Sequence, residues 1–311
     1  MSTQKVKLFF LLCLVGIIFS AIIALLSSCD SANGNSLEGE TSGPEFVPGP
    51  VALSTPNIDG VGPYGYTIDT SNVSQGYVSA AGTSVARLKF QVSYGDMSYN
   101  YDLPNDGTPI SCPINMGSGT YVFSIWQNTS DNRYVELTFP PVTQEVYLES
   151  EFSPFVRPNY FCNYNESSAC VAKAAELSAG AANQGDVLKN IYNWIVSNID
   201  YDTQKAAAVT DGYVPNPDET LQSGKGICFD YASLAAAMLR SQGIPCKILT
   251  GYVSPDNIYH AWNMVYINGS WQAVALSVDA ETWTRIDTTF AAGGATSYTG
   301  DGSSYTDRYT Y

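Results

Sequence analysis

Apolar and polar residues alternate along much of the first half of the chain. Leu88, Phe90 and Val92 are each followed by a polar residue. A similar alternation recurs in segments 121–125 and 135–139. A period of two residues is typical of half-buried β-strands. We therefore expect residues 53–150 to form an all-β sandwich of the immunoglobulin-like type.

Three segments in the second half carry apolar residues at helical spacing instead. The predicted helices begin after the capping residues Asn165–Ser168, at Asp186 and at Cys228. Gly243 is expected to end the third helix. The polar, proline-bearing segment 201–221 is expected to be an excursion on the surface.

Strands are expected after the third helix. Cys246–Tyr252 and Ala261–Ile267 have strand length and strand composition. Asn268-Gly269 is a strong hairpin signal, so we expect the second strand to pair with the segment that follows it. Helices combined with antiparallel strands make residues 151–311 an α+β domain.

The N-terminal residues 1–28 have the features of a targeting segment. Two lysines precede Leu8–Leu26, a run that contains no charged residue. The motif Leu26-Ser27-Ser28-Cys29 resembles the lipobox of bacterial lipoproteins, which implies cleavage before Cys29 and a diacylglycerol on its sulfur. An uncleaved signal anchor is the alternative, because the run approaches the roughly 20 residues that span a bilayer. Both alternatives place the rest of the chain on the extracytoplasmic face of the cell membrane.

Residues 29–52 are rich in small and polar residues, which predicts a disordered linker. The chain as a whole has 29 acidic and 14 basic residues, a formal net charge of −15. Such a surface repels nucleic acid and anionic lipid headgroups, so nucleic acid is not an expected partner. Contact with the membrane is expected through the lipid anchor. A cationic substrate is compatible with this charge but not required by it.

The chain has one histidine, His260, and seven cysteines. Imidazole has an unperturbed pKa near neutrality, about 6.5, so His260 is the base if the protein performs thiol chemistry. Cys228 is at the start of a predicted helix, where unpaired backbone N–H groups favour an anion such as a thiolate. Asp287 would accept a hydrogen bond from the far nitrogen of the ring.

If Cys228 is the nucleophile and Cys29 carries the lipid, four further cysteines remain in the exported part. They could form two disulfides in any of three pairings, since exported proteins meet oxidising conditions. These residues are Cys112, Cys162, Cys170 and Cys246. The chain has no Cys-x-x-Cys motif and only one histidine, so neither a metal nor another cofactor is expected.

Five motifs in one order resemble those of the bacterial transglutaminase-like superfamily. They are Gly226-Ile227-Cys228-Phe229-Asp230-Tyr231-Ala232, Gly243-Ile244-Pro245, Gly251-Tyr252, His260-Ala261-Trp262-Asn263 and Trp283-Thr284-Arg285-Ile286-Asp287-Thr288-Thr289-Phe290. The resemblance covers residues 160–295 and implies a papain-like core, in which the cysteine helix packs on an antiparallel sheet. It also implies that Cys228 is the nucleophile, His260 the base and then the acid, and Asp287 the orienting carboxylate.

Three other residues near these motifs are candidates for roles in the site. Asp279 competes with Asp287 for the third position, and Asp287 is preferred because its flanking residues fit the family pattern. Gln222 precedes Cys228 at the offset of the oxyanion glutamine of papain-like proteases. Asp230 is expected to stabilise the helix start rather than to react.

The sequence thus predicts an extracytoplasmic enzyme that transfers acyl groups from amides of proteins or peptides, cell-wall peptides among them. Hydrolysis by a peptidase or deamidase is preferred over cross-linking, because no second site that excludes water can be identified. The alternative function is that of a catalytically inactive surface protein that binds partners through the same fold and its sandwich.

Overall fold

The computed structural model describes residues 41, 43–49, 51, 58–253, 258–267, 271–273, 276–278, 283–286 and 305–311. The targeting segment, Cys29 and most of the predicted linker lie outside these residues. Asp279 and Asp287 lie outside them as well. In the described ranges, no helix combines the length and apolar character that crossing a membrane requires.

Antiparallel strands fill the first half of the chain. They are β1 (Tyr66–Asp69), β2 (Tyr77–Gly82), β3 (Leu88–Tyr94), β4 (Met97–Leu103), β5 (Ile110–Pro113), β6 (Gly119–Ser130), β7 (Arg133–Glu136) and β8 (Val142–Val146). One sheet has the order β1-β2-β5. The other has the order β4-β3-β6-β7, with β8 also paired to β6. Two short 3-10 helices, Val73–Gln75 and Ser153–Phe155, complete this half.

The predicted alternation is confirmed in β3, where Leu88, Phe90 and Val92 are buried. Apolar side chains of both sheets pack into one core, as the predicted β-sandwich requires. The immunoglobulin-like topology stays a prediction. The expectation was wrong for Val135 and Phe139, whose side chains are 48% and 91% exposed. Strand β7 is a short edge strand that ends before Phe139, so its apolar residues do not enter the core.

Five α-helices lie in the described part of the second half. They are α1 (Ala169–Ser178), α2 (Gln184–Asn198), α3 (Thr203–Ala208), α4 (Pro217–Ser223) and α5 (Cys228–Arg240). The three predicted helices correspond to α1, α2 and α5. Helix α3 and most of α4 lie in the segment 201–221, which was expected to be an excursion on the surface. Helix α5 is buried on all sides, since every residue from Asp230 to Arg240 is buried.

A four-stranded sheet of order β15-β12-β11-β16 packs on α5. The strands of this half are β9 (Asp200–Tyr201), β10 (Lys225–Gly226), β11 (Cys246–Val253), β12 (Ile258–Tyr266), β13 (Trp271–Ala273), β14 (Leu276–Val278), β15 (Trp283–Ile286) and β16 (Tyr305–Thr310). This mixture of helices and sheet is the predicted α+β core.

Asn268-Gly269 lies outside the described residues, and the described strands do not show the expected pairing of the second strand with the segment that directly follows it. Strand β12 pairs with β15, and β13 pairs with β14 in a separate two-stranded sheet. The physical reason is that a turn signal specifies only a local reversal of the chain. It does not determine which later strand completes the sheet.

Candidate active site

Cys228 is the first residue of α5, and its side chain is partly exposed. Unpaired N–H groups at a helix start and the helix dipole both favour a negative charge there. Gly226, two residues earlier, is buried, and a Cβ at this position would lie 2.6 Å from the Cβ of Asp230. Glycine is therefore required here so that Asp230 can pack against the start of the helix.

His260 lies on β12, opposite Gly251 of β11, and is only 6% exposed. Its ring is stacked beside that of Trp262, with the centroids 6.4 Å apart and the planes at 18°. His260 and Cys228 line the same cleft, which has a volume of about 450 Å³. The fold thus brings the predicted base and the predicted nucleophile to one site.

Asn263 fixes the strand of His260 against the helix of Cys228. This residue is 1% exposed, and its Nδ2 donates to the carbonyl oxygens of Ala232 at 2.9 Å and Lys247 at 3.2 Å. These bonds join β12 to α5 and to β11. Asn263 belongs to the histidine motif, but the sequence alone indicated no role for it.

Asp230 is fully buried and stabilises the start of α5, as predicted. Its Oδ2 accepts hydrogen bonds from the backbone N–H of Ile227 at 2.8 Å and from Nζ of Lys205 at 2.7 Å. Its Oδ1 accepts a bond from the Tyr213 hydroxyl at 2.5 Å. Burial alone would lower the pKa of Lys205, but the bonds to Asp230 and Tyr213 outweigh it and the pKa is raised. Lys205 and Tyr213 were not predicted, because they lie in the segment expected to be a surface excursion.

This polar cluster holds the segment 203–213 against the nucleophile helix. Residues of the segment, among them Ala206, Val209 and Tyr213, form part of the cleft wall. Tyr201 lies on the same wall. Partial burial raises the pKa of Tyr201 to about 12, and electrostatic interactions with the neighbouring Cys228 and Asp230 contribute to the increase. Its hydroxyl is therefore protonated at neutral pH and available as a hydrogen-bond donor.

The β-sandwich supplies the other wall of the cleft. Lys89, Asn100 and Asp102, on strands β3 and β4, line it together with Cys228. Nζ of Lys89 and Oδ1 of Asp102 form an ion pair at 2.7 Å. The motifs in the sequence lie only in the second half of the chain, so this contribution was not predicted.

All five described cysteines are free, so the two disulfides considered above are absent. Cys112 lies in the core of the sandwich, whereas Cys162, Cys170 and Cys246 lie in the core of the α+β half. Burial raises the pKa of Cys162 to about 11 and that of Cys246 to about 12. It also raises the pKa of Cys112 and Cys170. Among the described cysteines, Cys228 is thus the one placed to act as a nucleophile.

One predicted site residue does not line the described cleft, and another lies outside the described residues. Gln222 lies on α4 with an exposed side chain and is not among the residues that line the cleft. Its role as an oxyanion donor stays a prediction. The role of Asp287 also stays a prediction, since this residue lies outside the described ranges. Strand β15 ends at Ile286, which pairs with Asn263 on the strand of His260.

Residues 171–276 match the model of the transglutaminase-like superfamily. This part of the chain is therefore a transglutaminase-like domain, as the motifs indicated, and both Cys228 and His260 lie within it.

Similar proteins include two curated relatives. The chain is 28% identical over 155 residues to the UPF0252 protein of Archaeoglobus fulgidus, a match covering 43% of this chain and 49% of that protein. It is 32% identical over 97 residues to the kyphoscoliosis peptidase of Mus musculus, covering 28% of this chain and 14% of the peptidase. The matches thus span less than half the length of these relatives.

The solved structures that the chain matches include that of a candidate cysteine protease from Cytophaga hutchinsonii. The comparison has a TM-score of 0.35 at 17% identity and covers 82% of this chain and 81% of the other.

Proposed function

We propose that this protein is a thiol acyl-transfer enzyme that acts on amide bonds of proteins or peptides. The observation that carries the proposal is that a partly exposed cysteine at a helix start shares a cleft with the single histidine of the chain. A nucleophile beside a base is the arrangement that covalent catalysis by cysteine requires. Asp287 is proposed to hold the imidazole in the correct tautomer.

In this mechanism His260 takes the thiol proton and the Cys228 sulfur attacks the amide carbonyl. Backbone N–H groups at the start of α5 stabilise the negative oxygen of the tetrahedral intermediate. The intermediate expels the amine, which receives its proton from the imidazolium, and leaves a thioester on Cys228. Attack by water then releases a carboxylic acid, whereas attack by a second amine would release a new amide.

We favour water as the acceptor. Lys89, Asp102 and Tyr201 line the cleft, and such polar groups retain water rather than exclude it. Surface proteins and cell-wall peptides are the proposed substrate classes. We also propose that the enzyme works on the extracytoplasmic face of the membrane, anchored through Cys29, because of the motif that ends at this cysteine.

The test is incubation of the full-length protein in detergent with a mixed peptide library and a primary amine, followed by mass spectrometry. Cleavage, deamidation and conjugation produce different mass changes. The proposal expects one of these products from the wild type and none from Cys228→Ala. An inactive binding protein would give the same unmodified library with both proteins.

A further inference from the structure

A second groove lies directly beside the active cleft. It has a volume of about 550 Å³ and is lined by residues of three segments, 108–111, 158–163 and 214–219. Tyr160 lines both this groove and the cleft. Tyr213 lines the cleft, and the next residue, Val214, lines the groove. Two stretches of chain therefore contribute to both depressions, which are neighbours.

The walls of this groove suit an extended chain. One wall comes from the sandwich and the others from the α+β half, so the groove follows the junction of the two. Pro109, Pro158 and Pro215 lie in these walls. Proline fixes the backbone dihedral φ, so the backbone of these parts of the walls has little conformational freedom.

Asn159 lines the groove and carries a buried hydrogen-bond donor. This residue is 3% exposed, and its Oδ1 accepts a bond from the backbone N–H of Phe161 at 3.1 Å. That bond identifies the other amide atom as Nδ2, which has no hydrogen-bond partner in the part of the chain that the structure describes. A buried donor without an acceptor is unfavourable, and a carbonyl oxygen in the groove would satisfy it.

We propose that this groove binds a stretch of the polypeptide substrate adjacent to the reacting residue, with Nδ2 of Asn159 donating to a main-chain carbonyl. The proposal deepens the function proposed above and rests on it for the position of the reacting amide. A main chain offers a carbonyl at every residue and extends by roughly 3.3–3.6 Å per residue, so a few residues lead from the cleft past Tyr160. The enzyme would thus select long, extended peptides over short ones.

Binding to the inactive Cys228→Ala protein tests the groove without turnover. The full-length protein is immobilised in detergent and exposed to peptide pools of about four and about twelve residues, and mass spectrometry measures retention. Thr108 lines the groove with an exposed side chain, so Thr108→Trp fills the groove without disturbing a core. Thr143→Trp is the matched control, because Thr143 is exposed on β8 and does not line the groove. Asn159→Ala is a second variant that removes the donor.

The proposal expects Cys228→Ala to retain the longer peptides preferentially. Adding Thr108→Trp should weaken this retention at least about tenfold, whereas adding Thr143→Trp should not change it. Equal retention by the two tryptophan variants would overturn the proposal, and so would a failure of Cys228→Ala to retain long peptides. Retention of long peptides by a wild-type enzyme that processes none of them would instead refute the proposed reaction and leave the groove as a peptide site.

Discussion

Asn263 Nδ2 donates a hydrogen bond to the carbonyl oxygen of Ala232 at 2.9 Å. The bond joins the strand of His260 to the helix that begins at Cys228. Helix α5 is buried, and Asn263 is 1% exposed, so solvent cannot replace the bond if the amide is removed. This side chain in the core therefore helps to fix the position of the base relative to the nucleophile.

Asn263→Ala is expected to lower the free energy of unfolding by about 1–3 kcal/mol, because it removes two buried hydrogen bonds and the packing of a buried side chain. Urea unfolding measures the change. The matched control is Asn190→Ala, since Nδ2 of Asn190 also donates to a carbonyl, that of Leu177 at 3.0 Å, but in an exposed place. The control should shift stability by no more than about 0.5 kcal/mol. Equal decreases in the free energy of unfolding of the two variants would show that Asn263 stabilises the fold no more than an exposed asparagine does.

Lys205→Met is expected to release the segment 203–213 from the nucleophile helix, because the buried carboxylate of Asp230 loses its cation. The loss of stability should be about 2 kcal/mol or more, as is typical when one partner of a buried ion pair is removed. Limited proteolysis within the segment should become faster, and Lys205→Arg should restore most of the protection. Lys173→Met removes a surface pair with Glu176 and should have almost no effect. Unchanged proteolysis in Lys205→Met would contradict the assigned role of this cluster.

Asp218 makes the free energy of unfolding depend on pH in the acid range. Its two carboxylate oxygens accept bonds from the N–H groups of Cys170 at 2.8 Å and Ala169 at 3.1 Å, at the start of α1. Burial alone would raise the pKa of Asp218, but these bonds outweigh it, so the pKa is lowered. The stabilisation is therefore complete at pH values above the pKa of Asp218 in the unfolded chain, about 3.9. It is lost as the pH falls through the lower pKa of Asp218 in the folded protein.

Asp218→Asn removes the charge and should cost about 1 kcal/mol at pH 7. The difference from the wild type should shrink as the pH falls below about 4, because the wild-type carboxyl then also becomes neutral. Urea unfolding at a series of pH values measures both. If the difference in free energy of unfolding between the two proteins stays constant below about pH 4, the charge of Asp218 does not stabilise α1.

The cysteines should differ sharply in their reaction with a thiol reagent. Cys228 is partly exposed, whereas Cys112, Cys162, Cys170 and Cys246 are buried and have raised pKa values. Mass spectrometry of the native protein should find modification at Cys228 first and at the other four only after unfolding. Rapid modification of Cys246 in the native protein would contradict the described core.

The sequence predicted those strands and helices in which buried apolar residues recur at a regular spacing. The alternation around Phe90 indicates a strand because a half-buried strand presents every second residue to the core. Cys228 could be placed at a helix start because apolar residues follow it at helical spacing. The histidine could be paired with it because the chain offers no other.

The parts that escaped prediction depend on contacts between distant segments. Lys205 and Tyr213 bind Asp230 through polar contacts that produce no periodic pattern in the sequence. Lys89 and Asp102 reach the cleft because the sandwich packs against the α+β half, and no local signal specifies how two such units meet. The pairing of β12 with β15 was not predicted for the same reason, because strand pairing depends on contacts across the whole sheet.

The most direct test of the account is the rate at which iodoacetamide alkylates Cys228 at pH 7, compared between the wild type and His260→Ala. Continued protection of Cys246 in the same samples shows that the fold is intact. If His260 is the base for Cys228, the substitution should slow alkylation at least about tenfold, because the thiolate loses the group that accepts its proton. The same rate in both proteins would show that His260 does not activate Cys228, and it would contradict the proposed chemistry.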